Sequence, residues 1–105
     1  MISVGIDGGG STLRIGIYGE SLKCIHLHEL TETANPSIIG FKKAEEQLSS
    51  SLFQTMDEAG VDISEVQDVG AGMAGAAQNP DWLRNVLTKA IPHAKLPSHR
   101  ITKLR

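Results

Sequence analysis

The sequence predicts a single α/β domain in which three strands are followed by alternating helices and strands, in the order βββαβαβ. Its first 30 residues form short runs of alternating apolar and polar side chains, which is typical of an antiparallel meander. Two later segments place apolar residues at helical spacing, and each begins with the pair Asn-Pro. A run of small and β-branched residues between these segments indicates a buried strand.

The N-terminal meander is predicted to consist of strands over residues 2–7, 12–18 and 22–30. The first helix is predicted to begin at Asn35-Pro36, because asparagine is a strong N-cap and proline fits the first helical turn. It is predicted to run as one helix to Gly60, since glycine favours helix termination. Its apolar stripe consists of Phe41, Ala44, Leu48, Leu52, Met56 and Ala59.

The second half of the chain is predicted to contain two strands and one helix. A fourth strand is predicted over residues 66–73, followed by a loop of small residues over 74–78. Asn79-Pro80 predicts the start of the second helix by the same cap-and-proline pattern. Its apolar stripe consists of Trp82, Leu83, Val86, Leu87, Ala90 and Ile91. A short fifth strand is predicted near residues 100–104.

Composition and charge exclude several classes of function. The net charge is −2 and only 4% of residues are aromatic, so we expect no binding to nucleic acid. No apolar stretch approaches the roughly 18 residues of a membrane span, and no signal peptide is visible, so we expect a cytoplasmic protein without membrane contacts. The single cysteine, Cys24, is expected to be a small buried side chain. His26 and His28 alternate on one strand face, but no neighbouring carboxylate or cysteine completes a ligand set, so we expect no metal there.

A glycine-rich turn joins the first two strands and is the candidate binding site in this sequence. It consists of Asp7, Gly8, Gly9, Gly10, Ser11 and Thr12. The absence of side chains at Gly8 to Gly10 would let backbone N–H groups surround an anion, and the Asp7 carboxylate could hold Mg²⁺. The turn is not a Walker A loop, because it lacks the lysine and leads into a strand. The alternative is a tight hairpin in which the glycines serve only the geometry of the turn.

Three segments together carry a family resemblance. The segment GIDGGGST at residues 5–12 resembles the first phosphate loop of the N-acetylglucosamine kinase and BadF/BadG/BcrA/BcrD ATPase family, within the sugar kinase, heat-shock-protein and actin superfamily. Residues 33–40 resemble the family segment whose asparagine binds the sugar, and residues 72–78 resemble the small-residue loop beside the substrate.

The resemblance implies a ribonuclease-H-like lobe with a mixed sheet in the order 3-2-1-4-5. It implies that Asp7 organises Mg²⁺, that Gly8 to Thr12 contact the phosphates of ATP, and that Asn35, Gly75 and Ala76 contact an amino sugar. Asn35 has a structural alternative as an N-cap, and Gly72 and Gly75 have one in close packing of helix and sheet. We favour the packing role for Gly72 and the site role for Gly75.

The sequence departs from the family after the predicted fifth strand. Family members carry an aspartate there that acts as the general base, whereas residues 100–105 read RITKLR, so no catalytic residue is assigned. We therefore expect residues 1–105 to be a single truncated N-terminal lobe, without the second lobe and inactive alone, with weak or no binding of ATP and Mg²⁺. The alternatives are a non-catalytic interaction module that keeps the fold and an activator ATPase of the 2-hydroxyacyl-CoA dehydratase type. Whether the chain is a short natural protein, a broken gene or an excised domain stays open, as does the sugar.

Truncation would also leave one face of the sheet without its covering helix. We expect a homodimer or higher oligomer, joined through that face or through the free edge of the third strand, because large apolar patches and free strand edges favour association. The residues expected on the uncovered face are drawn from Val4, Ile6, Val66, Val69 and Ile101.

Overall fold

The computed structural model describes residues 2–75 and 79–96. Within these ranges one mixed sheet of four strands packs against helices on one of its faces. The strands are β1 (Ile2–Gly8), β2 (Leu13–Tyr18), β3 (Cys24–Leu30) and β4 (Val66–Met73). The helices are α1 (Pro36–Ile39), α2 (Phe41–Ala59) and α3 (Pro80–Ala90).

The sheet has the order β3-β2-β1-β4. β1 and β3 are both antiparallel to β2, as a meander requires, and β1 is parallel to β4. The predicted order is confirmed for these four strands. The parallel pairing brings the carboxyl ends of β1 and β4 to one edge of the sheet.

The expected fifth strand at residues 100–104 lies outside the described residues, but the chain already reaches the free side of β4 at Lys95. Lys95 forms a parallel bridge with Asp68. Its backbone N–H donates to the carbonyl of Gln67 at 2.9 Å, and its carbonyl accepts from the N–H of Val69 at 3.0 Å. The edge of β4 is therefore paired where a fifth parallel strand of the order 3-2-1-4-5 would begin.

The first helical segment is broken, so the prediction of one helix from Asn35 to Gly60 is wrong. Gly40 separates α1 from α2 with φ +87° and ψ 159°, a backbone conformation that is essentially restricted to glycine. The N–H of Gly40 closes α1 by donating to the carbonyl of Pro36 at 2.9 Å. The expected stop at Gly60 is confirmed, since Gly60 is left-handed and caps α2.

The core lies between the covered face of the sheet and one stripe of α2 and α3. Most of the predicted stripe on α2 is buried, together with the hydroxyl residues Ser51 and Thr55. The Thr55 hydroxyl donates to the Ser51 carbonyl at 2.7 Å, which satisfies that buried polar group. At the exposed end of the stripe, Phe41 packs its ring against Trp82, with 5.8 Å between the centroids.

The opposite face of the sheet differs from the one expected. Val4, Ile6, Val66 and Val69 are buried in the core beneath the helices, so the prediction that they line an uncovered face is wrong. Side chains alternate along a strand, and an irregularity in the pairing of β1 with β4, between Ile2 and Ser3, brings Val66 to the same covered face as Val69. Ile101 lies outside the described residues.

The face away from the helices presents small residues and an apolar edge instead. The lining of a groove of about 320 Å³ on this face includes Ser3, Gly5, Tyr18, Leu22 and Gly70. Leu22, Ile25 and Leu27 are exposed near the turn before β3 and along it. Cys24 is also exposed, which contradicts the expectation that it is buried, because it begins the edge strand β3. Within the described residues, no helix is long and apolar enough to cross a membrane.

Candidate functional site

The three segments singled out from the sequence meet at the carboxyl edge formed by β1 and β4. Gly8, at the end of β1, pairs in register with Met73, at the end of β4. The N–H of Ala74 then donates to the carbonyl of Gly8 at 2.7 Å, so the loop after β4 runs directly beside the glycine-rich turn. Gly75 follows Ala74 and packs against the side chain of Asn35.

Asp7 lies on the face of the sheet away from the helices and is exposed to solvent. In the part of the chain that the structure describes, its carboxylate makes no hydrogen bond and no ion pair. Arg14 stands opposite Asp7 in the β1–β2 register, but Arg14 Nε binds Glu29 Oε2 at 2.8 Å. The hydrogen bond and the charge of Glu29 raise the pKa of Arg14, and the charge of Asp7 adds a smaller contribution. Glu29 therefore engages the arginine and leaves the Asp7 oxygens available to a hard cation.

Sequence reasoning did not single out Arg14. Hairpin register could have found it, because antiparallel strands joined across residues 9–12 place residue 14 opposite residue 7. A guanidinium beside the loop adds a positive group at a site where an anion is expected.

The space available for a side chain differs among the three glycines of the turn. None of Gly8, Gly9 and Gly10 has a left-handed φ, so the backbone conformation of the turn requires none of them. A Cβ at Gly8 would lie 2.6 Å from Cγ of Met73, and one at Gly9 would lie 3.4 Å from Oγ1 of Thr12. A Cβ at Gly10 would meet nothing within 4 Å. Packing explains Gly8, but neither packing nor turn geometry explains the missing side chain at Gly10.

The remaining residues of the turn close it and present hydroxyl groups. The N–H of Gly9 donates to the carbonyl of Thr12 at 2.8 Å, which pins the two ends of the loop together. Ser11 is exposed and Thr12 is half-buried at the start of β2. A closed loop with an open side at Gly10 leaves room for a group to approach the backbone.

Asn35 caps α1 and also touches the second loop. Its Oδ1 accepts from the N–H of Ser37 at 2.8 Å, and its own N–H donates to Thr33 Oγ1 at 2.9 Å, so its predicted role as an N-cap is confirmed. Within the described residues no hydrogen bond uses its Nδ2, which leaves that donor available to a ligand. Asn79 occupies the N-cap position of α3, but its side chain makes no capping hydrogen bond.

Gly75 must be glycine for two structural reasons. Its φ of +86° is left-handed, and a Cβ there would clash with Oδ1 of Asn35 and lie 3.1 Å from Oγ of Ser37. The two predicted substrate residues Asn35 and Gly75 are thus in contact although they are far apart in sequence. Ala76, the third of that group, lies outside the described residues.

Among known proteins, similarity to this chain is found at the level of the fold. No protein-family model and no curated protein matches the sequence. Among solved structures, the chain is similar to a Chromobacterium violaceum protein assigned as an N-acetylglucosamine kinase, with a TM-score of 0.67 and 24% identity over 90% of this chain. It is also similar to the apo psk41 ParM protein, with a TM-score of 0.65 and 13% identity over 94% of this chain.

The chain therefore shares its fold with these two structures. The resemblance drawn from the sequence is therefore confirmed at the level of the fold. The match covers 33% of the kinase chain and 36% of the ParM chain, so this chain spans about a third of either structure.

Proposed function

We propose that this chain forms the nucleotide-phosphate-binding lobe of an ATP-dependent sugar kinase of the N-acetylglucosamine kinase type. Asp7 would hold Mg²⁺, and the backbone of Gly8 to Thr12 would bind phosphate. Mg²⁺ at such a site neutralises charge on the phosphates. The carboxylate suits this ion, because hard cations prefer oxygen ligands.

The observation that carries the proposal is the pairing of an open glycine with a free carboxylate. Gly10 has neither a left-handed φ nor a neighbour that a Cβ would meet, and Asp7 has no partner among the described residues. A loop that served only as a hairpin turn would require neither feature. A phosphate seated against the loop accounts for the first and a cation beside it for the second.

The contact between Asn35 and Gly75 supports a sugar subsite next to the phosphate loop. Oδ1 of Asn35 is committed to the cap of α1, so the group available to a ligand hydroxyl is the amide Nδ2. Ala76 would complete this subsite, as the resemblance implies. The N–H of Ala74, next to Gly75, donates to the carbonyl of Gly8 at the end of β1, which holds the two subsites side by side.

We further propose that residues 1–105 form one lobe and do not phosphorylate sugar alone. Phosphoryl transfer needs several groups converging on the reacting phosphate, and among the described residues this site offers one loop, one carboxylate and one arginine. Affinity for Mg-ATP should accordingly be low, around millimolar or weaker.

Substitution of the loop should weaken nucleotide binding with little loss of stability. We expect Mg-ATP to shift the ¹⁵N–¹H resonances of residues 8–12 in the wild type. Gly10→Val should weaken this binding at least about tenfold, or ~1.4 kcal/mol, because the new side chain occupies the phosphate approach. Asp7→Asn should abolish the dependence of nucleotide binding on Mg²⁺.

The sugar subsite has a test of its own. Addition of N-acetylglucosamine should shift the amide resonances of Asn35 and Gly75.

Thermal unfolding of Gly10→Val provides the control: a Cβ at Gly10 meets nothing within 4 Å, so we expect no loss of stability beyond about 1 kcal/mol. Mg-ATP shifts that are identical in the wild type and in Gly10→Val would contradict the proposal. An absence of any shift in residues 8–12 at saturating Mg-ATP would favour the non-catalytic interaction module instead.

We also propose that the chain self-associates through the face of the sheet away from the helices. Leu22, Ile25 and Leu27 expose apolar surface beside the groove on that face, and β3 is an edge strand. We expect sedimentation at micromolar concentrations to give a dimer, and Leu27→Asp to give a monomer. Phe53→Asp, on exposed helix surface, should leave the dimer intact. A wild-type monomer of 11.2 kDa would contradict this prediction.

A further inference from the structure

Two histidines and a glutamate converge on the covered side of β3, away from the glycine-rich turn. His26 Nε2 lies 2.9 Å from Oε1 of Glu58, and His28 Nδ1 lies 3.1 Å from the same oxygen. The expectation that no carboxylate completes a ligand set is therefore wrong. Glu58 is about 30 residues away in sequence, and it reaches the histidines because α2 packs against β3.

Two of the three spacings among the ligand atoms are close to those around a small cation. The three ligand atoms all lie within 4.8 Å of one another. Zn–N and Zn–O bonds of about 2.0–2.1 Å at tetrahedral angles place neighbouring ligand atoms ~3.3 Å apart. The two nitrogen-to-oxygen distances fall within a few tenths of an ångström of that value. A cation could enter with only a small outward movement of the carboxylate.

The surroundings of the cluster hold its ligands in position. Glu58 Oε2 accepts from Gln54 Nε2 at 3.1 Å, an outer contact that orients the carboxylate toward the histidines. The side chain of His28 is only 16% exposed, so packing directs its Nδ1 at Glu58. His26 and Glu58 are 32% and 36% exposed, which leaves one side open to a water molecule as a fourth ligand.

We propose that His26, His28 and Glu58 bind a divalent transition-metal ion, for which Zn²⁺ fits best. Imidazole and carboxylate ligands suit Zn²⁺, and three protein ligands with one open position are the arrangement of its catalytic sites. The ion would join the edge strand β3 to the end of α2. This site lies on the opposite face of the sheet from Asp7, so it stands or falls independently of the proposed nucleotide site.

Zn²⁺ added to the metal-free full chain tests the proposal. We expect one equivalent to bind by calorimetry. The midpoint of thermal unfolding should rise by about 10 °C when free Zn²⁺ exceeds Kd a hundredfold. Co²⁺ in its place should give the visible absorption of a four-coordinate ion. Glu58→Gln and His26→Ala should each abolish the rise and the absorption.

Two further variants separate this site from other zinc ligands in the chain. Cys24→Ser and His93→Ala should keep the full effect, because neither residue belongs to the cluster. An unchanged rise in Glu58→Gln, a loss of the rise in Cys24→Ser, or no rise in the wild type would each overturn the proposal. Glu58 and His26 are partly exposed, so their variants should fold and keep the test decisive.

Discussion

Leu52→Ala is expected to lower the free energy of unfolding by about 2–5 kcal/mol. Leu52 lies in the middle of α2, is 0% exposed and belongs to the core between the helices and the sheet. The substitution loses the transfer free energy of the buried atoms and leaves a cavity that the neighbours fill only in part. Domains of this size have about 5–15 kcal/mol of stability in total, so the loss is a large fraction.

The neighbouring residue supplies the control. Phe53 follows Leu52 on the same helix and is larger, but it is 40% exposed. Phe53→Ala should therefore cost only about 1 kcal/mol, because much of its apolar surface is already in water. Urea unfolding measures both, and the slope m should stay constant in each variant. Equal losses at the two positions would show that α2 packs on a different face.

Gly75→Ala is expected to cost about 2–4 kcal/mol, of which ~1–2 kcal/mol is the left-handed backbone and the rest is the clash. Its φ is +86°, and the added Cβ would meet Oδ1 of Asn35. Relief of the clash should displace the Asn35 side chain and weaken its capping bond to Ser37. The same change should therefore impair any binding of sugar at Asn35.

Gly60→Ala separates these two causes. Gly60 is also left-handed, with φ +70°, but a Cβ there would meet nothing within 4 Å. We expect this variant to lose only about 1 kcal/mol. The double variant of Gly75→Ala with Asn35→Ala removes the clashing oxygen and should be more stable than the sum of the single losses predicts, by about 1 kcal/mol. Strict additivity of the two single losses would show that Gly75 and Asn35 are not in contact.

The glycine-rich turn shows how far sequence reasoning reached into the site. The pattern identified the loop and its carboxylate, and the family resemblance supplied the strand order that brings the ends of β1 and β4 to one edge of the sheet. The pattern did not distinguish the glycines. Only the packing of the structure separates Gly8, which Met73 requires, from Gly10, which faces open space.

The helices and strands could be predicted from the sequence where local interactions determine them. The bounds of β1, β2 and β4 and the stop at Gly60 could be predicted because they follow from interactions among residues a few positions apart. The break at Gly40 is local as well, yet the apolar stripe on α2 continues the helical spacing and concealed it.

By itself the sequence determined most of the helices and strands and the loop that carries Asp7, since periodicity and caps act over short separations in the chain, and its resemblance to a known family supplied the strand order. The tertiary structure alone decided which faces are buried, that Asn35 meets Gly75, and that Glu58 completes a cluster with two histidines of β3. These contacts join residues about 30 or more positions apart. They depend on how α2 and the loop after β4 pack against the sheet. That packing is set by the complementarity of whole surfaces, so the sequence around a single contacting residue does not predict its partner.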